Sequence, residues 1–316
     1  MRRPNGVSLM MCAGLATPLA GCVVQVDSGG FSSRNEMHFR VEGAPVVDLS
    51  TFDGAIEVRS WARPDVLVQV ELRASSKPLL ESIDVSRNSQ DSHVAVKATV
   101  RSSSGWDLSS GGARSVRLVA TVPVDSEVRL HSGDGSLRVE RVRGRIDART
   151  GDGRIVMREV GGDILAHTGD GSVQLEDVDG RCTVSTRDGS VLVSGRLRGL
   201  EVSSGDGSVT VRAADDSEVT DWNIDTRDGG VVIALPGRPN ARLDLQTGDG
   251  RIALSGFADL QLAQQHDRRS LRGVLGSGAG RLRVRTGDGT ITVKRSQWPP
   301  PPAPVSAPDL PAVTDP

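Results

Sequence analysis

The feature that most constrains this chain is an Asp-Gly pair that recurs at eight equivalent positions from residue 134 onward, at Asp134, Asp152, Asp170, Asp188, Asp206, Asp228, Asp249 and Asp288. The first five aspartates follow one another at a constant interval of 18, after which the interval stretches to 22, 21 and 39. A period of about 20 residues marks a supersecondary unit repeated along an axis, because one such unit cannot bury an apolar face by itself. Positions three and five after each Asp are apolar without exception, from Leu137 and Val139 to Ile291 and Val293. Positions six and four before each Asp are apolar as well, from Val128 and Leu130 to Leu282 and Val284. Each unit therefore contains two short strands of period two, one on either side of the turn. The extra residues of the longer units fall between the trailing strand of one turn and the leading strand of the next, where loops absorb added length.

Two architectures satisfy this pattern. Asp-Gly suits a hairpin turn, which favours an antiparallel β-meander. Such a meander of strands exposes one long apolar face, and the chain offers almost no amphipathic helix to cover it. The expected fold is therefore all-β: a single-stranded β-solenoid, β-helix-like, with about 18 residues per coil, each coil stacked on the one before. At about 4.8 Å per coil, eight coils span roughly 40 Å. Composition agrees, since 37 glycines serve turns with positive φ, and 4 Phe, 4 Trp and no Tyr leave small aliphatic side chains to fill a narrow interior.

The N-terminus carries a second pattern. Arg2 and Arg3 precede an apolar stretch from Val7 to Ala20, which ends in Leu19-Ala20-Gly21-Cys22. This resembles a bacterial lipoprotein signal: small residues fit the processing peptidase, and the Cys22 thiol accepts a diacylglyceryl group before its freed amine is acylated. The stretch is short for a membrane span of roughly 20 residues. Several acyl chains, palmitate among them, anchor far more firmly than one, at about 0.8 kcal/mol per buried methylene. Val23 after Cys22 resembles lipoproteins sent on to an outer membrane, where the cell has one.

The expected organisation is then a signal peptide over 1–21, a tether over 22–34, a β-solenoid domain over 35–295 and a proline-rich, disordered tail over 296–316. Within the domain, 35–123 reads as irregular first coils and an N-terminal cap, with Asp53-Gly54 as an outlying copy of the turn, and 124–295 holds the regular repeats. Lipidation of Cys22 and loss of Cys12 leave Cys182 as the one thiol, so no disulfide is expected. Cys182 stands where other units carry Ile164 and Leu200 and reads as a small buried hydrophobe.

Chemistry is less legible. Stacked coils would align the turn aspartates into a carboxylate ladder, with neighbours repelling by only about 1 kcal/mol in water. Calcium would relieve that repulsion, but calcium-loaded β-rolls use nonapeptides twice per coil, whereas Asp-Gly occurs here once per coil, and Arg187 and Arg227 replace Gly beside two of the aspartates. A polysaccharide lyase or hydrolase needs paired carboxylates in a groove, usually with aromatic platforms, and Trp61, Trp106, Trp222 and Trp298 are scattered. His131 and His167 occupy equivalent positions two coils apart with Arg149 between them, a poor zinc geometry. His38, His93 and His266 show no ligand spacing. No metal, no cofactor and no catalytic residue is expected. With 38 basic and 40 acidic residues and no basic stripe interleaved with aromatics, nucleic acid is not an expected partner.

The combination of a lipoprotein leader, the segment VDLSTFDGAIEVRSW, the later VATVPVDSEVRLHSGDGSLRV, serial TGDG turns and a closing GRLRVRTGDGTITVKR resembles the bacterial putative-adhesin family of unknown function, over roughly Phe39 to Lys294. The resemblance implies a single-stranded β-solenoid of β-strand repeats and an envelope location, and it transfers no catalytic residue. The expected function is a lipid-anchored, non-catalytic binding or scaffold module of the bacterial envelope, touching the membrane through its anchor and an envelope glycan or protein through its surface. The rival readings are a carbohydrate-active β-helix enzyme and a calcium-binding repeat protein. Outward positions such as Arg138, Val156, Gln174, Leu192 and Thr210 show no consistent recognition stripe.

Overall fold

The computed structural model describes residues 23–27, 30–101, 112–257 and 261–296. Among them the protein is all-β: 24 strands join one hydrogen-bonded network, and the only helix is Lys77–Glu81, a little over one turn. The apolar pairs that flank each turn form two parallel ladders. In the trailing ladder Leu137 pairs with Ile155, Ile155 with Val173, Val173 with Val191 and Val191 with Val209, each step being one repeat. In the leading ladder Val128, Ile146, Ile164, Cys182 and Leu200 align in the same way. One leading strand, its Asp-Gly turn and one trailing strand make a layer, named here by its aspartate.

Alternation of side chains sends every second residue inward, and the inward residues of both ladders merge into one buried cluster. Met157, Leu175, Ile164 and Leu197 are among its largest members, together with Trp222, which fills the position held by Leu200 and Leu282 in adjacent layers. Parallel strands buried on one face against each other need no helix to cover them, which resolves the exposure problem of a meander.

The turn glycines are required for a different reason from the expected one. Among the glycines that follow the turn aspartates only Gly54 has a positive φ, of 129°. At Gly153 a Cβ would overlap the carbonyl oxygen of Gly135, at Gly171 that of Gly153, at Gly189 that of Gly171 and at Gly207 that of Gly189. The glycines stack so closely that no side chain fits between layers, so close approach rather than a hairpin conformation selects them. Positive φ occurs instead at the opposite corner, at Arg141, Glu159 and Asp177, again one repeat apart, with Gly195 continuing the series.

Stacking follows chain order only in the middle. The Asp228 layer is followed in space by the Asp288 layer, since Trp222 pairs with Leu282 and Val231 with Ile291. The Asp249 layer lies outside it, with Leu243 against Leu282 and Ile252 against Ile291. The last repeat is thus inserted between the sixth and seventh, a correction to the expectation that each coil stacks on its predecessor. The long insertion before Asp288 is also more than a loop: Ser270–Leu275 pairs antiparallel with Ala241–Thr247, and Gln261–Asp267 pairs antiparallel with Ser270–Leu275.

The other end has a matching exchange. The Asp53 layer, with Val46–Thr51 and Ile56–Trp61, stacks directly on the Asp134 layer, and the later strands His93–Val100 and Arg114–Pro123 lie on its outer side. Antiparallel strands then close this end, with Ile83–Gln90 on His93–Val100 in one ladder and Asp65–Ala74 on Arg114–Pro123 in the other. Gly30–Arg40 pairs with Asp65–Ala74 and Val23–Asp27 with Gly30–Arg40, so much of the stretch expected as a tether is strand.

Candidate functional site

Cys22, the residue expected to carry lipid, lies outside the described residues, as do the signal segment, Trp106, Trp298 and the tail from residue 297. The turn edge is the first surface that the repeat builds. Two residues before each turn aspartate stands a buried hydroxyl: Thr51, Ser132, Thr150, Thr168, Thr186, Ser204, Thr226, Thr247 and Thr286. Thr51 Oγ1 donates to Asp53 O at 3.1 Å, and the other eight hydroxyls face the glycines. Thr150 Oγ1 donates to Gly135 O at 2.8 Å, Thr168 Oγ1 to Gly153 O at 2.9 Å and Thr286 Oγ1 to Gly229 O at 2.9 Å. The same oxygens accept from their own turns, as Gly189 N–H to Thr186 at 3.2 Å and Gly289 N–H to Thr286 at 3.1 Å. This hydroxyl ladder satisfies backbone groups that glycine stacking buries. The Ser or Thr at this offset is visible in every unit of the sequence, and its role emerges only from the stacking of the glycines.

The turn aspartates point outward beside this ladder and are exposed. Asp152 Oδ1 accepts from Asp170 N–H at 3.4 Å, so one carboxylate caps the amide of the next layer. The two arginines that replace glycine reach back one layer, Arg187 to Asp170 at 3.4 Å and Arg227 to Asp206 at 3.7 Å, and offset part of the carboxylate repulsion. Among the described residues no group of three or more His, Cys, Asp or Glu is arranged to hold a metal. His131 and His167 both align with Arg149, one on each side, and His38 pairs with Glu36 at 2.8 Å. Cys182 is fully buried, and burial pushes its thiol up to about 12, which removes it as a nucleophile at neutral pH.

The two outer walls differ. The trailing wall is lean in charge beyond Asp170, with Ser190, Leu192 and Ser194, then Ser208, Thr210 and the single charge Arg212, then Gly230, Val232 and Ala234 in register. Val156, expected to face outward, is only 7% exposed. The leading wall is dense in charge. Arg129 bonds Glu127 and Arg149 bonds Asp147 along single strands, at 2.7 and 2.8 Å, and these carboxylates hold both guanidinium groups above their ordinary value. Three adjoining depressions run along this wall, of about 790, 280 and 190 Å³. The first two share Arg181, and the last two share Asp221 and Arg281. No stripe of this kind stood out in the sequence, because its members, Arg181 and Arg281 among them, are scattered over several repeats.

A family model described as Toastrack DUF4097 matches residues 65–294. None of the curated proteins matches the chain. Among solved structures, a putative lipid binding protein from Parabacteroides distasonis ATCC 8503 is 10% identical, with a TM-score of 0.43 and coverage of 82% of this chain and 96% of that one. A putative adhesin from Parabacteroides merdae ATCC 43184 is 9% identical, with a TM-score of 0.40 and coverage of 82% and 95%. A putative cell adhesion protein from Clostridium sporogenes ATCC 15579 is 11% identical, with a TM-score of 0.27 and coverage of 83% and 100%.

Proposed function

The chain belongs to the Toastrack DUF4097 family. From that premise we propose that it is a lipid-anchored, non-catalytic binding or scaffold module of the bacterial envelope, built as a single-stranded β-solenoid of about 18 residues per coil. The observation that carries this reading is the continuous stack of parallel layers, which holds two chemically different walls rigidly in solvent. A rigid array of outward side chains binds without ordering loops first, so less conformational entropy is lost on association. Cys22 supplies the anchor, through acylation of its thiol and amine, and the outer membrane is the destination where the cell has one. The constant offset of each ladder supports the solenoid description, with antiparallel closure at both ends as its departure from a pure coil.

The test has two parts. Wild-type chain grown with a labelled palmitate analogue should carry label and sediment with membranes, and Cys22→Ser should lose both properties. An unlabelled, soluble wild-type chain overturns the anchor. Proximity labelling from the anchored protein should then enrich a discrete glycan or protein partner, and a labelling pattern identical to that of an unrelated anchored protein overturns the binding role.

A further inference from the structure

The three depressions on the leading wall form one groove parallel to the stacking axis, from the Asp152 layer to the Asp249 layer. Six steps of about 4.8 Å make it roughly 29 Å long. Its outward row reads Asp163, Arg181, Gly199, Asp221 and Arg281, ending at Arg242. Asp163 lies beside Arg181 and Asp221 beside Arg281 at layer spacing, with the side-chain-free Gly199 between the two pairs and a second guanidinium, Arg242, next to Arg281.

A local irregularity opens its centre. Gly180 pairs with Leu197 and Arg181 with Gly199, which leaves Arg198 as the extra residue of a β-bulge. Arg198 turns aside to Asp179, at 3.0 Å, and Gly199 takes the outward position without a side chain. Arg181 lies across that gap, its Cζ 3.1 Å from where a Cβ at Gly199 would stand. The resulting dent of about 280 Å³ is lined by Arg181, Arg281, Arg283, Glu201 and Asp221, with Thr183 and Asn223 between them. Among the described residues Arg181, Arg281, Glu201 and Asp221 have no ion-pair partner. Arg283 Nε is buried without a hydrogen bond, and its nearest carboxylate oxygen, on Asp244, is 3.7 Å away. Charged donors and acceptors held in one concave site with their hydrogen-bonding capacity unspent are the arrangement that a polar ligand completes.

We propose that this groove binds an extended polysaccharide that carries carboxylates, with one sugar carboxylate seated among Arg181, Arg281 and Arg283 and neighbouring hydroxyls donating to Glu201 and Asp221. Guanidinium groups recognise carboxylates with paired, charge-assisted hydrogen bonds, and carboxylates accept from vicinal hydroxyls. The length and the repeat of the groove fit a chain rather than a single sugar. The proposal rests on the binding role above and names its ligand class.

Titration of the full chain with oligogalacturonate, and with the same oligomer methyl-esterified, tests it by calorimetry. The acid form should bind at least about tenfold more tightly than the ester, and the difference should shrink at high salt as screening shortens the reach of the exposed charges. Arg281→Gln should weaken acid binding about tenfold, through the lost guanidinium. Gly199→Leu should weaken it by a similar factor, because it fills the dent and displaces only the flexible end of Arg181. Arg138→Gln on the other wall should leave binding unchanged, and melting temperatures of all three variants should stay near wild type. Equal affinity for acid and ester, absence of binding at millimolar oligomer, or full affinity in both Arg281→Gln and Gly199→Leu overturns the groove. Proximity labelling that enriches a protein while the calorimetry stays silent removes the glycan and leaves the binding role standing.

Discussion

The middle of the stack and its two ends solve the same problem in different ways. From Asp134 to Asp228 each layer is laid on its predecessor, and the apolar pairs of one repeat become the floor of the next. An end layer has no successor, so the same rule would leave a regular parallel edge exposed, ready to pair with another chain. Both ends avoid this by exchanging order. At the C-terminal end the chain sets the Asp249 layer outermost, returns, and places the Asp288 layer inside it. At the N-terminal end it lays the Asp53 layer, sets His93–Val100 and Arg114–Pro123 outside it, and returns to lay the Asp134 layer on its inner side. Antiparallel strands close both ladders there and the leading ladder at the C-terminal end. The repeat therefore encodes propagation, and the departures from its period encode termination.

The comparison breaks first if the final repeat is not an interior layer. Deleting residues 280–316 should open a slot between the Asp228 and Asp249 layers and expose two sets of unpaired strands. Loss of the cooperative melting transition, or a fall of more than about 10 °C, is expected from several kcal/mol of lost burial. Disulfide trapping sharpens the same point. Asn223→Cys with Arg283→Cys places two thiols on directly paired residues, within the roughly 4.4–6.8 Å that a disulfide spans, and should cross-link. Asn223→Cys with Asp244→Cys spans two layers and should not. The reverse result restores stacking in chain order.

Next in size is the glycine column. Gly153→Ala drives a Cβ into the Gly135 carbonyl, where backbone meets backbone and neither side can turn away, so a loss of about 3 kcal/mol in denaturant unfolding is expected. Gly230→Ala, whose nearest neighbour would be Thr290 O at 3.7 Å, should stay within about 0.5 kcal/mol of wild type. Similar losses at both sites would mean that glycine acts through chain entropy and not through layer contact.

Thr168→Val tests the hydroxyl ladder beside it. The valine is nearly isosteric, but it removes the donor to Gly151 O at 3.1 Å and Gly153 O at 2.9 Å in a buried setting. About 1–2 kcal/mol should be lost, against about 0.5 kcal/mol or less for the exposed Thr290→Val. Equal effects would reduce the ladder to packing.

These contrasts also show where residue patterns speak and where they fall silent. Period-two apolar pairs on either side of each Asp-Gly reveal the strands and their inward faces, because burial acts on every residue of a short strand. The constant repeat spacing reveals the partner of each strand, because parallel stacking copies a unit at a fixed offset. Layer exchange at Asp288 leaves no such trace: Leu282 is an equally good neighbour for Trp222 or for Leu243, and nothing in an aliphatic residue states which of two similar layers it joins. The Gly199 dent is silent for a related reason. It depends on a one-position shift of register at Arg198, and its lining is brought together from four layers.

The smallest expected effect compares ion pairs of one design in the two regions. Glu71 in the antiparallel closure accepts from Arg73 Nη2 at 2.6 Å, and Asp147 in the middle accepts from Arg149 Nε at 2.8 Å, each from two residues along its own strand. The hydrogen bond from Arg73 holds the Glu71 carboxyl below its ordinary value of 4.5, against the opposing effect of burial, with the charges of Arg73, Arg34 and Arg117 adding to it. A carboxyl whose pKa falls on folding stabilises the protein above the unfolded value, and that contribution fades as pH drops through the lower, folded one. Glu71→Gln should therefore lower stability at pH 7 by about 0.5 kcal/mol or less, and wild type and variant should converge as pH falls below about 4. Asp147→Asn should lose no more than this, because both pairs are strand-local and partly open to water. A penalty at Glu71 well above that at Asp147 would mean that the closing strands depend on charge as the middle layers do not, and would place electrostatics among the devices that end the stack.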